Sequence, residues 1–220
     1  MSVAATSQSR MITPVLIASC IILLLGFSIR ASFGLFQIPI AQEFNWLRAD
    51  FSFAIAIQNL AWGVGQPLFS AIAEKFGDRK AIVLGVVCYA IGLFISAFAI
   101  TPGQHQFLEI LVGFGIAGTG FGVLLAIVGR ATPAKHRSMA LGITTAAGSA
   151  GQVIGPPVVQ MLLNNFVWQE VFMIMAVGIL AVILLLPFIK APSDDSSAPT
   201  TDSMGTVVRN AIKDKTFIFI

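Results

Sequence analysis

The 220-residue chain is 56% hydrophobic and 10% charged, with 18 phenylalanines and a mean hydropathy of +0.89, whereas a soluble domain carries about 25% charged residues. That composition excludes an ordinary soluble domain and describes an integral membrane protein. The basic balance, 13 Lys and Arg against 10 Asp and Glu, comes without a basic patch on a soluble face, so nucleic acid is not an expected partner.

In chain order, "MSVAATSQSR" precedes an apolar run longer than the roughly 7 to 15 residues of a signal peptide core, with no small-residue cleavage site, and reads as a retained first span. Apolar segments follow at roughly 13–41, 51–73, 81–100, 107–130, 138–163 and 167–189. Each approaches or exceeds the roughly 20 residues of a bilayer crossing. Backbone groups in lipid must be satisfied within the segment, which makes the spans helices. The expected fold class is all-α, a polytopic membrane protein of six transmembrane helices. With the N-terminus inside, every one of the 13 basic residues except Arg30 and Arg48 falls on the cytoplasmic side. The positive-inside rule then places both termini in the cytoplasm.

After Lys190 the composition changes to "APSDDSSAPTTDSMG", a Ser, Pro and Asp-rich stretch that reads as a flexible linker. The expected organisation is a cytoplasmic tail at 1–12, a six-helix bundle at 13–189, a cytoplasmic linker at 190–215 and, in "TFIFI" at 216–220, the start of a truncated seventh helix. Cys20 and Cys88 lie in apolar runs, where a thiol serves as a small hydrophobe. No metal-ligand spacing, phosphate loop or nucleophile and base pair occurs, so neither an enzyme nor a cofactor is expected.

One residue stands against this apolar background. Arg30, in "GFSIRASFGLF", is the single charge between Pro14 and Ile40. A charge near a helix centre costs roughly 2.5 to 3.5 kcal/mol on insertion scales and needs a cavity, a partner or the interface. Gly26, Gly34 and Gln37 share its face at helical spacing, and Glu43 or Asp50 could meet it only by snorkelling outward. Other spans offer neutral polar groups: Gln58, Asn59 and Gln66, then Thr119, then Thr145, Ser149 and Gln152. No Asp or Glu is expected at mid-depth, and His105 and His136 read as loop residues. A lone guanidinium among neutral groups favours an anionic guest, because its fork matches a carboxylate bidentately. Arg30, Gln37, Asn59 and Gln152 are therefore the candidate substrate-binding residues. A structural arginine paired with an acid from outside these spans is the alternative, and for the amides it is an ordinary interhelical hydrogen bond.

Two loop and helix patterns carry a family signal. "SAIAEKFGDRK" places Glu74, Lys75, Gly77, Arg79 and Lys80 after the second span, and "ALGITTAAGSAGQVIGPP" places Gly142, Gly151, Gly155 and Pro156 in the fifth. The first resembles the loop signature of the major facilitator superfamily, with Ser70 for its first glycine and Glu74 for its aspartate. The second resembles the fifth-helix motif of the same superfamily, with Val159 and Gln160 for its closing glycines, and Glu109 stands where the family often has an arginine. Thr144, Gly148, Gly151 and Gly155 also form one small-residue face, and Pro156 marks a bend. The strings "RASFGLFQIPIAQEF" and "AIQNLAWGVGQP" further resemble the bacterial monocarboxylate and oxalate/formate transporter group.

This resemblance implies the N-terminal half of a twelve-helix transporter, built of two inverted three-helix repeats, with the substrate site near the midplane. It also implies a cytoplasmic gate comprising Glu74, Lys75, Gly77, Arg79 and Lys80, to which Arg130 at the inner end of the fourth span is added. The expected partners are the lipid bilayer, a small organic anion and a missing C-terminal six-helix half; the expected location is the plasma (inner) membrane. The expected function is secondary transport of a monocarboxylate-like anion, proton-coupled or by exchange, through alternating access. The alternatives are a proton-antiport exporter of drugs or amphipaths and, in another class, an inactive half-length fragment or structural partner.

Overall fold

The computed structural model describes residues 12–190. The expectations placed on the first eleven residues, on most of the linker and on "TFIFI" lie outside the described residues. Six helical spans cross back and forth, and several are built from two pieces. The first joins α1 (Pro14–Ser32), a 3-10 turn at Phe33–Phe36 and α2 (Gln37–Phe44). The second is α3 (Arg48–Phe76) and the third α4 (Asp78–Ser96). The fourth joins α5 (Pro102–Gly118) to α6 (Phe121–Ala131), the fifth is α7 (Arg137–Leu163), and the sixth joins α8 (Trp168–Leu180) to a 3-10 stretch at Ala181–Phe188. Pro14–Phe44, Asp78–Ser96, Pro102–Ala131 and Trp168–Phe188 are long and apolar enough to cross a membrane. The second and fifth spans carry the neutral polar side chains and are correspondingly less apolar.

Local chemistry sets the boundaries. Thr13 caps α1 by accepting from the Leu16 amide at 3.2 Å, with Pro14 at the first helical position. The 3-10 turn ends three residues before Pro39, whose ring removes one donor and crowds the carbonyl of Leu35, four residues back. The fourth span starts at Pro102 rather than at 107, because Thr101 and Gln104 form a capping box: the Thr101 hydroxyl accepts from the Gln104 amide at 3.3 Å, and the Gln104 side chain accepts from the Thr101 amide at 3.2 Å. The polar string "TPGQHQ" is thus the first turn of a helix and not a loop. That span then breaks at Thr119 and Gly120, where the Thr119 hydroxyl donates to the Gly115 carbonyl at 2.9 Å. Between α3 and α4 the chain turns on Gly77 at φ 98° and ψ 147°, a conformation open essentially to glycine.

The first span packs chiefly on the fifth and the second chiefly on the fourth. Exchanging spans one and four, and two and five, interchanges these two pairs, as two inverted three-helix repeats require. Small residues make both contacts close. A β-carbon on Gly113 would strike the Gln58 carbonyl, and one on Gly151 or Gly155 would strike the carbonyl of Leu24 or Ser28. In lipid such backbone approach replaces the hydrophobic drive between helices. Phe27 lies against Phe121 with ring centroids 4.5 Å apart, and Phe36 lies against Phe172 at 4.4 Å.

Candidate functional site around Arg30

Arg30 sits in the last turn of α1, midway along Pro14–Phe44. Its Nη2 donates to Asn59 Oδ1 at 2.8 Å, and Asn59 is held in place because its own Nδ2 donates to the Ile55 carbonyl at 2.8 Å. The guanidinium carbon lies 4.5 Å from the centroid of the Trp62 ring, an attractive cation–π placement. Arg30 Nε and Trp62 Nε1 are both buried without a hydrogen-bond partner. A guanidinium has five N–H donors, and among the described residues only the neutral Asn59 receives one. No carboxylate lies within ion-pair distance of it among those residues.

The structure brings Arg30 and Asn59 together and leaves Gln37 and Gln152 apart from them. Gln37 donates to the Arg48 carbonyl at 3.3 Å, where the first span meets the second, and Gln152 points outward on α7 with no hydrogen bond to the described residues. Snorkelling partners are absent as well: Glu43 accepts from Trp168 and Gln169, and Asp50 accepts from the Leu47 amide at 3.2 Å. Trp62 is a contact the sequence reading missed, although its spacing of three from Asn59 puts both on one helix face.

A second polar centre corrects two expectations. Glu109 is fully buried inside α5, two turns in from its first residue Pro102, so an acid does occupy the interior of the bundle. Gln58 donates to its Oε2 at 2.6 Å. His105, read as a loop residue, is in the first turn of α5, 2% exposed, with its Nε2 3.5 Å from Glu109 Oε1. Both errors have one cause, the late start assigned to the fourth span.

At the end of the bundle that holds Ile12 and Lys190, the loop motif makes specific contacts. Arg79 Nε donates to the Ile189 carbonyl at 2.8 Å and its Nη2 to the Pro187 carbonyl at 3.2 Å. Arg130 pairs with Asp78 at 2.6 Å, an acid next to the motif glycine Gly77 that the candidate set had left out. Glu74 and Lys80 are exposed, and Lys75 lies 5.3 Å from the Phe76 ring. In the fifth span Gly151 and Gly155 pack on α1, whereas Gly142 faces open space and does not join that contact. Pro156 lies inside α7, which remains a helix through it.

The Major Facilitator Superfamily model matches residues 18–219. The chain belongs to that superfamily. As a major facilitator chain it is 30% identical over 154 residues to bovine (Bos taurus) monocarboxylate transporter 13, covering 69% of this chain and 35% of that protein. It is also 30% identical over 166 residues to the MFS-type transporter YcxA of Bacillus subtilis, covering 72% and 39% respectively. Among solved structures it is similar to the proton:xylose symporter XylE of E. coli bound to 6-bromo-6-deoxy-D-glucose, with a TM-score of 0.71 at 15% identity, covering 81% of this chain and 44% of that one. The matched region spans little more than a third of these curated relatives, and the fold is that of one six-helix half. Family membership and the apolar helices make this an integral membrane protein.

Proposed function

We propose that this major facilitator chain, joined to a second six-helix half, carries small organic anions of the monocarboxylate class across the plasma (inner) membrane by alternating access, with both ends of the six-helix bundle cytoplasmic. The observation that carries this reading is Arg30: a cation at mid-span whose single hydrogen bond among the described residues goes to a neutral amide. A guanidinium so placed has donors to spare for a bidentate carboxylate, and such a ligand offsets the cost of keeping the charge in the membrane. Asn59 and Trp62 orient the fork, and Gln152 on the exposed face of α7 is available to a ligand held between the halves. The similarity to a protein named monocarboxylate transporter 13 supports the same substrate class. Transport is coupled to a proton or proceeds by exchange, and no enzymatic step is involved. On the cytoplasmic side Arg79, Arg130 and Asp78, with Glu74, Lys75, Gly77 and Lys80 in the same loop, form the gate.

Uptake of labelled lactate, formate and oxalate into proteoliposomes containing the complete twelve-helix transporter tests this. Arg30→Gln, at equal amounts of folded protein, is expected to abolish uptake. Uptake at the unsubstituted rate would make Arg30 a structural residue and overturn the assignment.

A further inference from the structure

Glu109 and His105 are not used by the anion site, and each carries an unsatisfied atom. Glu109 Oε1 and His105 Nε2 are buried, face each other at 3.5 Å and have no hydrogen-bond partner. Buried polar atoms in native structures are nearly always paired, and an ionisable side chain within a membrane span is rare unless it has work to do.

We infer that Glu109 and His105 form a proton-binding site inside the bundle, linked to Arg30 through the adjacent α3 side chains Gln58 and Asn59. Hydrogen-bond donors and acceptors at the two side chains set this assignment. An ionised carboxylate only accepts, and here Gln58 supplies one donor to Oε2 while Oε1 receives none. One proton taken from water onto Oε1 turns that oxygen into a donor, and the lone pair of a neutral His105 Nε2 accepts it once the gap closes by about 0.5 Å to hydrogen-bond distance. A single hydrogen then satisfies both orphaned atoms. Release returns the proton to water; Gln58 still holds Oε2, and the one N–H of the neutral imidazole, moved to Nε2, donates to the ionised Oε1, so the two states are both satisfied and differ by one proton.

Among the described residues the surroundings offer no competing partner. The His105 ring packs against Trp46, Phe51 and Phe172, with centroids 5.9, 5.5 and 6.3 Å away. From α4 the facing titratable group is Tyr89, whose hydroxyl is engaged in donating to the Gly26 carbonyl at 3.0 Å. From α1 it is Arg30, directed to Asn59; α3 faces the pair with the neutral amide of Gln58, and its Asp50 is engaged with the Leu47 amide. The one titratable residue of α6, Arg130, lies at the other end of the bundle with Asp78. Successive residues on a helix point about 100° apart, so Gln58 and Asn59 reach the two sites from one turn. A carboxylate arriving at Arg30 competes with Asn59 for the guanidinium and acts on the same turn that holds Glu109.

The coupling role rests on the anion-transport reading, whereas the proton site can be tested apart from it. Infrared spectra of the complete transporter in lipid, taken across about pH 5 to 9, are expected to show a protonated-carboxyl band that fades as pH rises. The band should vanish in Glu109→Gln and shift in His105→Phe. If Glu109→Gln does not assemble, Glu109→Asp should move both the band and its titration midpoint. No band assignable to Glu109, or one constant across the range, overturns the site. In proteoliposomes carrying a pH-sensitive dye, Glu109→Gln is expected to remove the pH dependence of uptake, about tenfold per pH unit on one limb for a single essential proton. Unsubstituted pH dependence in that variant overturns the coupling role. Uptake retained in Arg30→Gln would refute the anion reading and leave the infrared result standing.

Discussion

Gly151 of α7 lies so close to Leu24 of α1 that a β-carbon on it would collide with the Leu24 backbone. Gly155 repeats this contact one turn later against Ser28, whose hydroxyl donates to the Gly151 carbonyl at 3.0 Å. The first and fifth spans are therefore joined backbone to backbone, with a side-chain hydrogen bond inside the seam, and this seam fixes the helix that carries Arg30.

Gly151→Val is expected to destabilise the bundle by about 1 to 3 kcal/mol, the usual cost of overpacking where backbone cannot yield. Gly142→Ala, facing open space, should change stability by less than about 0.5 kcal/mol. Thermal unfolding in detergent, followed by the monodisperse peak in size-exclusion chromatography, checks both. Equal losses at the two positions would contradict the seam.

The apolar runs and the one-sided basic loops made the six spans legible, because composition alone decides which segments can sit in lipid. Arg30 was legible for the same reason, as the lone charge of its run. Residues that meet across helices were not. Asn59 lies on one face of α3 toward Arg30, and Gln58, its neighbour, turns to Glu109; no linear pattern distinguishes the two amides. Glu109 and His105 were misplaced for a more local reason: "TPGQHQ" reads as polar and loop-like, although Thr101 and Gln104 spell a capping box and Pro102 a first helical residue. A start at Pro102 puts the acid and the histidine four residues apart on one helical face.

The pair between Arg130 and Asp78 joins the Ala131 end of the fourth span to the start of the third, with side chains 25% and 17% exposed. A partly buried, charge-assisted contact of this kind is stronger than a surface pair. Asp78→Asn and Arg130→Gln are each expected to raise the reactivity of cysteines introduced in the neighbouring loops toward a membrane-impermeant reagent applied from the side proposed to be cytoplasmic. In the double variant the effects should fall short of additive, with a coupling of about 0.5 to 3 kcal/mol. Full additivity would mean that the two residues act separately.

Trp62 lies against Arg30, with 4.5 Å from the guanidinium carbon to the ring centroid. Replacing it tests whether the ring positions the cation. Trp62→Phe keeps an aromatic face of weaker quadrupole, and Trp62→Leu removes it. A loss of about 0.5 to 1 kcal/mol, or more where the site is desolvated, is expected for Leu. That corresponds to a rise of roughly two- to fivefold in KM for the anion, with Phe in between. An unchanged KM in both would leave orientation to Asn59 alone.

Asn59→Asp is the sharpest test of the vacant donors on Arg30. The substitution keeps the shape of the side chain and puts a carboxylate oxygen where the amide oxygen now accepts from Nη2 at 2.8 Å. The guanidinium would then hold an internal carboxylate, the same chemistry expected of the substrate, and an incoming anion would meet a neutralised site. Uptake should fall by roughly tenfold or more, since displacing a charge-assisted hydrogen bond costs about 1.5 to 3 kcal/mol. Asn59→Ala, which frees Nη2 without adding charge, should retain much more activity. The order Asn59 above Ala above Asp, measured as initial uptake at equal protein, is what an anion site predicts. For a structural arginine waiting for an acid, Asp would stabilise the bundle and leave uptake intact, so the two readings give opposite rankings in the same assay.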